Sequence, residues 1–177
     1  MAQLSTLGDT TFMKNTKAKL LPIVSLGAEH LVIGHLMLRN IPAYKAPPNN
    51  AGYDLICIHP KRASSMVRVQ VKSRYQIDCD GQFLINEKAL DDFDYLILAF
   101  LNIDVFYKRK PLFGEFADRN PVFYTLTKDW VKTNLVRSGW TKIQTKGREQ
   151  ELDGFKNERG FEKIAEALGV PSVRNEL

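Results

Sequence analysis

The sequence predicts one α/β domain, a mixed β-sheet flanked by helices. Three observations predict it. A stretch with helical periodicity, Ser25–Arg39, comes before three extended segments. The segment Asp94–Leu101 (DYLILAFL) is nearly all apolar, the composition of a central strand covered on both faces. The order helix, three strands, helix, strand then gives a mixed rather than a purely antiparallel sheet.

Taken in order, the elements justify themselves locally. In the first helix Glu29, Val32, Ile33 and Leu36 fall at i, i+3, i+4 and i+7, which sets an acid within an apolar stripe. Asn40-Ile41-Pro42 ends it, because proline cannot continue a helix and disfavours helix in the residue before it. A short extended piece, Ala43–Lys45, leads into the turn-rich APPNNAG. Strands are expected at Tyr53–His59 and Met66–Tyr75, joined by the polar turn PKRASS. CDG at 79–81 turns the chain into Gln82–Ile85, and Asn86 caps a short helix, Glu87–Phe93. After Asp94–Leu101, residues 108–120 read as a loop and Val122–Leu126 as a further strand. Thr127 caps a helix through Val136, and Gly139–Gly147 is extended and basic. A last helix, Glu158–Leu168, is stopped by Gly169 and Pro171.

The chain of 177 residues is 44% hydrophobic and 25% charged, enough for a core of its own. No repeat, low-complexity tract or linker divides it. Residues 1–177 are therefore read as a single domain, with 1–20 as an arm, 25–126 as the core and 127–177 as a helical, basic extension. No run approaches the roughly 20 apolar residues that span a bilayer, and the N-terminus lacks a compact apolar stretch behind a basic start. The expectation is a soluble cytoplasmic protein with no membrane partner. Cys57 and Cys79 form neither a disulfide framework nor a zinc site, and Cys57 is expected in the core. His30, His35 and His59 show no metal-ligand spacing, which argues against histidine-centred catalysis.

The formal charge of +5 is unevenly spread. Residues 60–75 hold Lys61, Arg62, Arg68, Lys72 and Arg74 and no acid. Residues 128–148 hold Lys128, Lys132, Arg137, Lys142, Lys146 and Arg148 against Asp129 alone. Two such clusters suit a phosphate-bearing partner as well as they suit a solvated surface. Trp130 and Trp140 are interleaved with the second cluster and are expected to anchor the core or an interface rather than to stack on bases.

The stretch VRVQVKSR, residues 67–74, carries the chemistry. Val67, Val69 and Val71 share one side of an extended chain, and Arg68, Gln70 and Lys72 share the other. Asp54 precedes Gln70 on the neighbouring strand, so antiparallel pairing brings it to the polar face of Gln70 and Lys72. Glu29 projects from the helix expected to pack on this sheet, and acids rarely sit in apolar surroundings without a partner. Convergence on a divalent cation, which takes hard oxygen ligands, would resolve that cost. In such a site Asp54 would hold the metal, and Glu29 would do so directly or through water. Gln70 and the main-chain carbonyl of Val71 would add ligands, while Lys72 would stabilise charge on a phosphate. The valines would fix the register, so that the polar residues cannot slip to the other face.

These residues resemble the signature of the PD-(D/E)XK nuclease superfamily, E…D…(D/E/Q)xK. The matching pieces are Gly27 and Glu29, NNAGYDL at 49–55, and RVQVKS at 68–73, and the likeness extends over about residues 25–126. Tyr53 stands where the motif has its proline. Gln70 stands where it has an acid, which removes one anionic ligand. The resemblance implies a restriction-endonuclease-like core and a metal-dependent DNA endonuclease using Mg2+ or Mn2+. It also implies a homodimer or higher homo-oligomer, since cutting two strands favours two sites. DNA would then be gripped by Lys61, Arg62, Arg68 and Arg74 at the rim and by Lys142 and Lys146 in a second clamp. Two rival classes stay open, a catalytically silent nucleic-acid-binding module of the same fold and a protein used for protein contacts.

Overall fold

The structure is a computed structural model that describes residues 17–48, 50, 52–75, 80–103 and 120–171, with the backbone alone over 17–22. Of the expected arm over residues 1–20, residues 1–16 lie outside the described residues, as do Cys79 and the loop containing KRKP at 108–111, whereas residues 17–20 are helical rather than a loose arm.

Helix α1 spans Lys17–Met37 and leads into β1, Ala43–Lys45. The strands β2 (Leu55–His59) and β3 (Arg62–Arg74) follow, then β4 (Gln82–Leu84) and a 3-10 turn at Glu87–Ala89. The chain continues through β5 (Tyr95–Phe100), β6 (Val122–Thr127), α2 (Lys128–Thr133) and β7 (Lys142–Gln144). It closes with α3 (Glu149–Leu152) and α4 (Asn157–Leu168). The main sheet has the order β1-β2-β3-β5-β6, and β4 pairs with β7 in a second, two-stranded sheet. The main sheet is mixed, because β1–β2, β2–β3 and β5–β6 are antiparallel while β3–β5 is parallel.

Alternation along the strands divides the interior into two cores. Val67, Val69 and Val71 join Leu55, Ile97, Ala99 and Phe123 under Ala28, Val32 and Leu36 of α1 and Phe161, Ile164 and Leu168 of α4. On the opposite face Leu96, Leu98, Phe100, Tyr124 and Leu126 pack beneath Phe83 of β4, Ile143 of β7 and Val131 of α2. Asp94–Leu101 is thus covered on both sides, as its apolar run predicts. Cys57 is buried and free, and burial pushes its thiol up to about 12. No helix among the described residues is long and apolar enough to cross a membrane.

Several boundaries differ from those the sequence suggests. Helix α1 begins at Lys17 rather than Ser25. PKRASS is not a six-residue turn: Arg62 already pairs with His59, and the register then jumps to Ile58 opposite Met66, leaving Ala63–Ser65 as a bulge. Arg62 is held there by its guanidinium, which donates to the Leu168 carbonyl of α4 over 2.9 Å. The helix expected over Glu87–Phe93 is one 3-10 turn, capped by the Asn86 side chain on the Lys88 amide at 3.2 Å. Helix α2 stops at Thr133, because the Asn134 side chain turns back to the Trp130 carbonyl at 2.8 Å.

Candidate active site

Asp54 stands at the head of β2, where the chain enters the sheet. Its amide donates to the Val69 carbonyl at 2.9 Å, in keeping with the ladder that sets Leu55 opposite Val69. The next bond of that ladder is made by a side chain: Asp54 Oδ2 accepts the Val71 amide at 2.8 Å. The Tyr53 carbonyl is turned into the preceding loop, where Asn50 donates to it at 2.7 Å. A Cβ on Gly52 would lie 2.0 Å from Asp92 Cβ, so only glycine lets the Asp91–Asp92 turn sit against this entry point.

Gln70 completes the group. Its Nε2 donates to Asp54 Oδ2 at 2.5 Å and also reaches the Val71 carbonyl at 3.3 Å. One NH2 therefore faces two oxygens, a carboxylate and a main-chain carbonyl. Its hydrogens are the electropositive element that these oxygens converge on, and hard oxygen donors are what a small divalent cation takes. The donor set fits such an ion, provided that the Gln70 amide turns over to offer its Oε1. Lys72, half-buried, follows on the same face of β3. Among the described residues no hydrogen bond or ion pair holds its ammonium.

Glu29 is placed differently. Lys45 of β1 lies opposite Leu55, on the face of the sheet that α1 covers, and it pairs with the Glu29 carboxylate. Glu29 Oε2 is buried and has no aligned hydrogen-bond donor beyond this ion pair. The contacts bring together Asp54, Gln70 and Val71, while Glu29 approaches from the other face in the keeping of Lys45. No group of three or more His, Cys, Asp or Glu side chains that could hold a metal ion occurs among the described residues. A metal ion held here would have Asp54 as its one carboxylate and would depend on the amide and carbonyl oxygens beside it.

Most of the cations expected at the rim are tied into the fold. Arg68 forks onto Asp94, with Nη2 to Oδ1 at 3.0 Å and Nε to Oδ2 at 3.3 Å, and its own amide donates to Oδ2 at 2.8 Å. Burial pushes the Asp94 carboxyl up, but the bonds from the Arg68 side chain and backbone outweigh it and hold the group below its usual value. Arg74 donates to the Gln82 carbonyl at 2.8 Å and lies over the Phe83 ring at 5.6 Å. Lys142 donates to the Gln82 side chain at 3.0 Å. Lys61 and Lys146 are exposed. In the second basic cluster, acids from elsewhere offset the charge: Asp91 for Lys132, Glu87 for Arg137 and Glu151 for Arg148.

Sequence reasoning passed over Lys45, Asp92 and Asp94. The pattern carried a signal only for Lys45, a basic residue in a short extended piece facing the helix that bears Glu29. The tryptophans part company. Trp130 packs against Phe155 under the Arg148 guanidinium, whereas Trp140 is 77% exposed.

Helix α1, antiparallel β1–β3 and a parallel β5 follow the order expected of the core, with a 3-10 turn in place of the helix expected before β5. The fold is of the α/β class, a mixed five-stranded sheet flanked by helices. Comparison with solved structures finds similarity to Hjc, a Holliday junction resolvase of Archaeoglobus fulgidus, at 12% identity and a TM-score of 0.45, over 84% of this chain and 98% of that one. The bacterial homing endonuclease I-Ssp6803I is similar at 17% identity and a TM-score of 0.47, over 90% of this chain and 97% of that one. No family model matches the chain, and no curated protein matches it.

Proposed function

We propose that the protein is a metal-dependent endonuclease that hydrolyses phosphodiester bonds in DNA. The observation that carries this reading is the convergence of Asp54 Oδ2 and the Val71 carbonyl on one Gln70 NH2, with the Lys72 ammonium, unpaired among the described residues, next on the same strand face. Magnesium or manganese would be held by Asp54, the Val71 carbonyl and Gln70 Oε1, with Glu29 joining only if it exchanges the Lys45 ammonium for the ion. Bound there, the ion would lower the pKa of a water and offset charge on the phosphate.

The chain's own residues do the rest. Lys72 places a positive charge on a half-buried strand face, where it is worth more than in bulk water, and offers it to a phosphate oxygen. The Asp54 carboxylate stays oriented because the Val71 amide fixes one of its oxygens. Buried Val69 and Val71 hold the strand register that puts these groups on one side. Lys61 and Lys146, both exposed, would meet phosphates of the backbone. The protein would work as a homodimer or higher homo-oligomer, so that two sites address two strands.

A second reading, a silent DNA-binding module, is favoured by the single carboxylate at the site and by Glu29's engagement with Lys45. Incubation with supercoiled plasmid in Mg2+ or Mn2+, against EDTA, separates the two. The endonuclease reading expects nicking or linearisation that needs metal and that Asp54→Ala abolishes while the circular dichroism spectrum is unchanged. Retention of plasmid without cleavage in any metal, or cleavage that survives Asp54→Ala, contradicts it.

A further inference from the structure

Glu29 and Lys45 form a pair whose two members are unequally free. Glu29 is fixed on α1 beside buried Ala28 and its side chain is 14% exposed, whereas that of Lys45 is 37% exposed on the edge strand β1. Lys45 can therefore swing its ammonium into water on a flexible stem, while Glu29 stays where the helix puts it. Glu29 Oε2 is buried without an aligned donor, so the ion pair offsets its charge but leaves its lone pairs unsatisfied. A buried carboxylate stripped of its partner is costly, so Lys45 leaves only when another cation takes over.

The pair stands next to Asp54. Lys45 is opposite Leu55 in the β1–β2 ladder, and the Ala46 amide donates to the Asp54 carbonyl at 2.8 Å. With strands about 5 Å apart and a rise of about 3.3 Å per residue, the Cα atoms of Lys45 and Asp54 are about 6 Å apart. Asp54 Oδ2 takes the Val71 amide that a backbone carbonyl would take in a continued ladder, so it lies in the plane of the sheet rather than on either face. Since β2 begins only at Leu55, a carboxylate arriving from the α1 side crosses no strand to reach it.

An ammonium and a divalent cation compete unequally for such a place. Lysine brings one charge and donates to acceptors one proton at a time, whereas a small divalent ion takes oxygens alone and is bound by one or two carboxylates. We propose that Lys45 is a built-in competitor for the metal, an autoinhibitory contact that holds Glu29 until a divalent cation displaces its ammonium and draws Glu29 to Asp54. This rests on the endonuclease reading, and it makes Lys45 the residue that sets the metal concentration at which the site is completed.

The test is calorimetric titration of the full-length protein with Mn2+ in the absence of DNA. The proteins compared are wild type, Asp54→Ala, Lys45→Met, Lys45→Arg and Lys45→Met combined with Glu29→Gln. Methionine keeps an unbranched stem without the charge. Removing the competitor should tighten Mn2+ binding about tenfold, the gain expected if Lys45 leaves Glu29 free about one-tenth of the time. Glu29→Gln in the Lys45→Met protein should cancel that gain. Arginine, which forks onto a carboxylate and stays charged, should hold Glu29 more firmly and weaken Mn2+ binding, and it decides the matter if Lys45→Met fails to fold. Binding that Asp54→Ala abolishes but that neither Lys45 variant alters overturns the proposal and leaves the endonuclease reading standing. A gain that survives Glu29→Gln reports only a general loss of positive charge and overturns it as well. Mn2+ binding by none of these proteins overturns both.

Discussion

Arg68, Lys72 and Arg74 stand on one face of β3 at alternate positions, and they are used in opposite ways. Arg68 is locked by the Asp94 carboxylate, and Arg74 is docked on the Gln82 carbonyl and the Phe83 ring. Lys72, between them, has no such partner among the described residues. The two arginines secure the strand to the Asp91–Asp94 turn and to β4, which leaves a stretch of fixed backbone with one uncommitted ammonium beside Asp54 and Gln70. Cations that hold the fold and a cation with no partner among the described residues are thus separable on a single strand. Substitution should separate them too.

The largest effect on stability should come from neither cation but from the glycine that lets the turn approach. A Cβ at position 52 meets Asp92 Cβ, which sits close to the backbone and cannot swing away. Gly52→Ala should cost about 2–3 kcal/mol, the cost of forcing atoms into a packed site, read from urea unfolding. An unchanged midpoint would show that the turn is not pressed against the entry to β2.

Arg68→Ala comes next. It leaves Asp94 without its fork, and since both side chains are about one-third exposed, solvent screening limits the loss to about 1–2 kcal/mol. Its pH dependence gives the sign. The Asp94 carboxyl is held below its usual value in the folded protein, so its contribution is present above about pH 4 and is lost as pH falls through the folded value. The stability gap between wild type and Arg68→Ala should therefore be open at pH 6 and narrow toward pH 2. A gap independent of pH would mean that Arg68 acts through packing alone.

How far the sequence could anticipate this depends on the range of each interaction. The approach of Asp54 to Gln70 was legible, because apolar alternation in two successive strands sets an antiparallel register and with it the facing residues. The sheet and its two covered faces were legible for the same reason. The bulge at Ala63–Ser65 was not, since that stretch has no alternation and is kept extended by Arg62 reaching α4. Nor were the partners of the cations. Asp91 and Asp94 reach them from a turn after β4 and Glu87 from a 3-10 turn, and no local periodicity links such pairs. Glu29 shows the cost most clearly: an acid in an apolar stripe does need a partner, but Lys45 meets that need as well as a metal ion would.

The central claim is that Lys72 is reserved for chemistry. The direct measurement is metal-dependent plasmid cleavage by Lys72→Ala, with urea unfolding and DNA affinity measured on the same preparation. The account predicts cleavage slowed by at least about a hundredfold, with stability within about 0.5 kcal/mol of wild type and DNA still bound. Cleavage at the wild-type rate, or a loss of activity that merely follows unfolding, would contradict it.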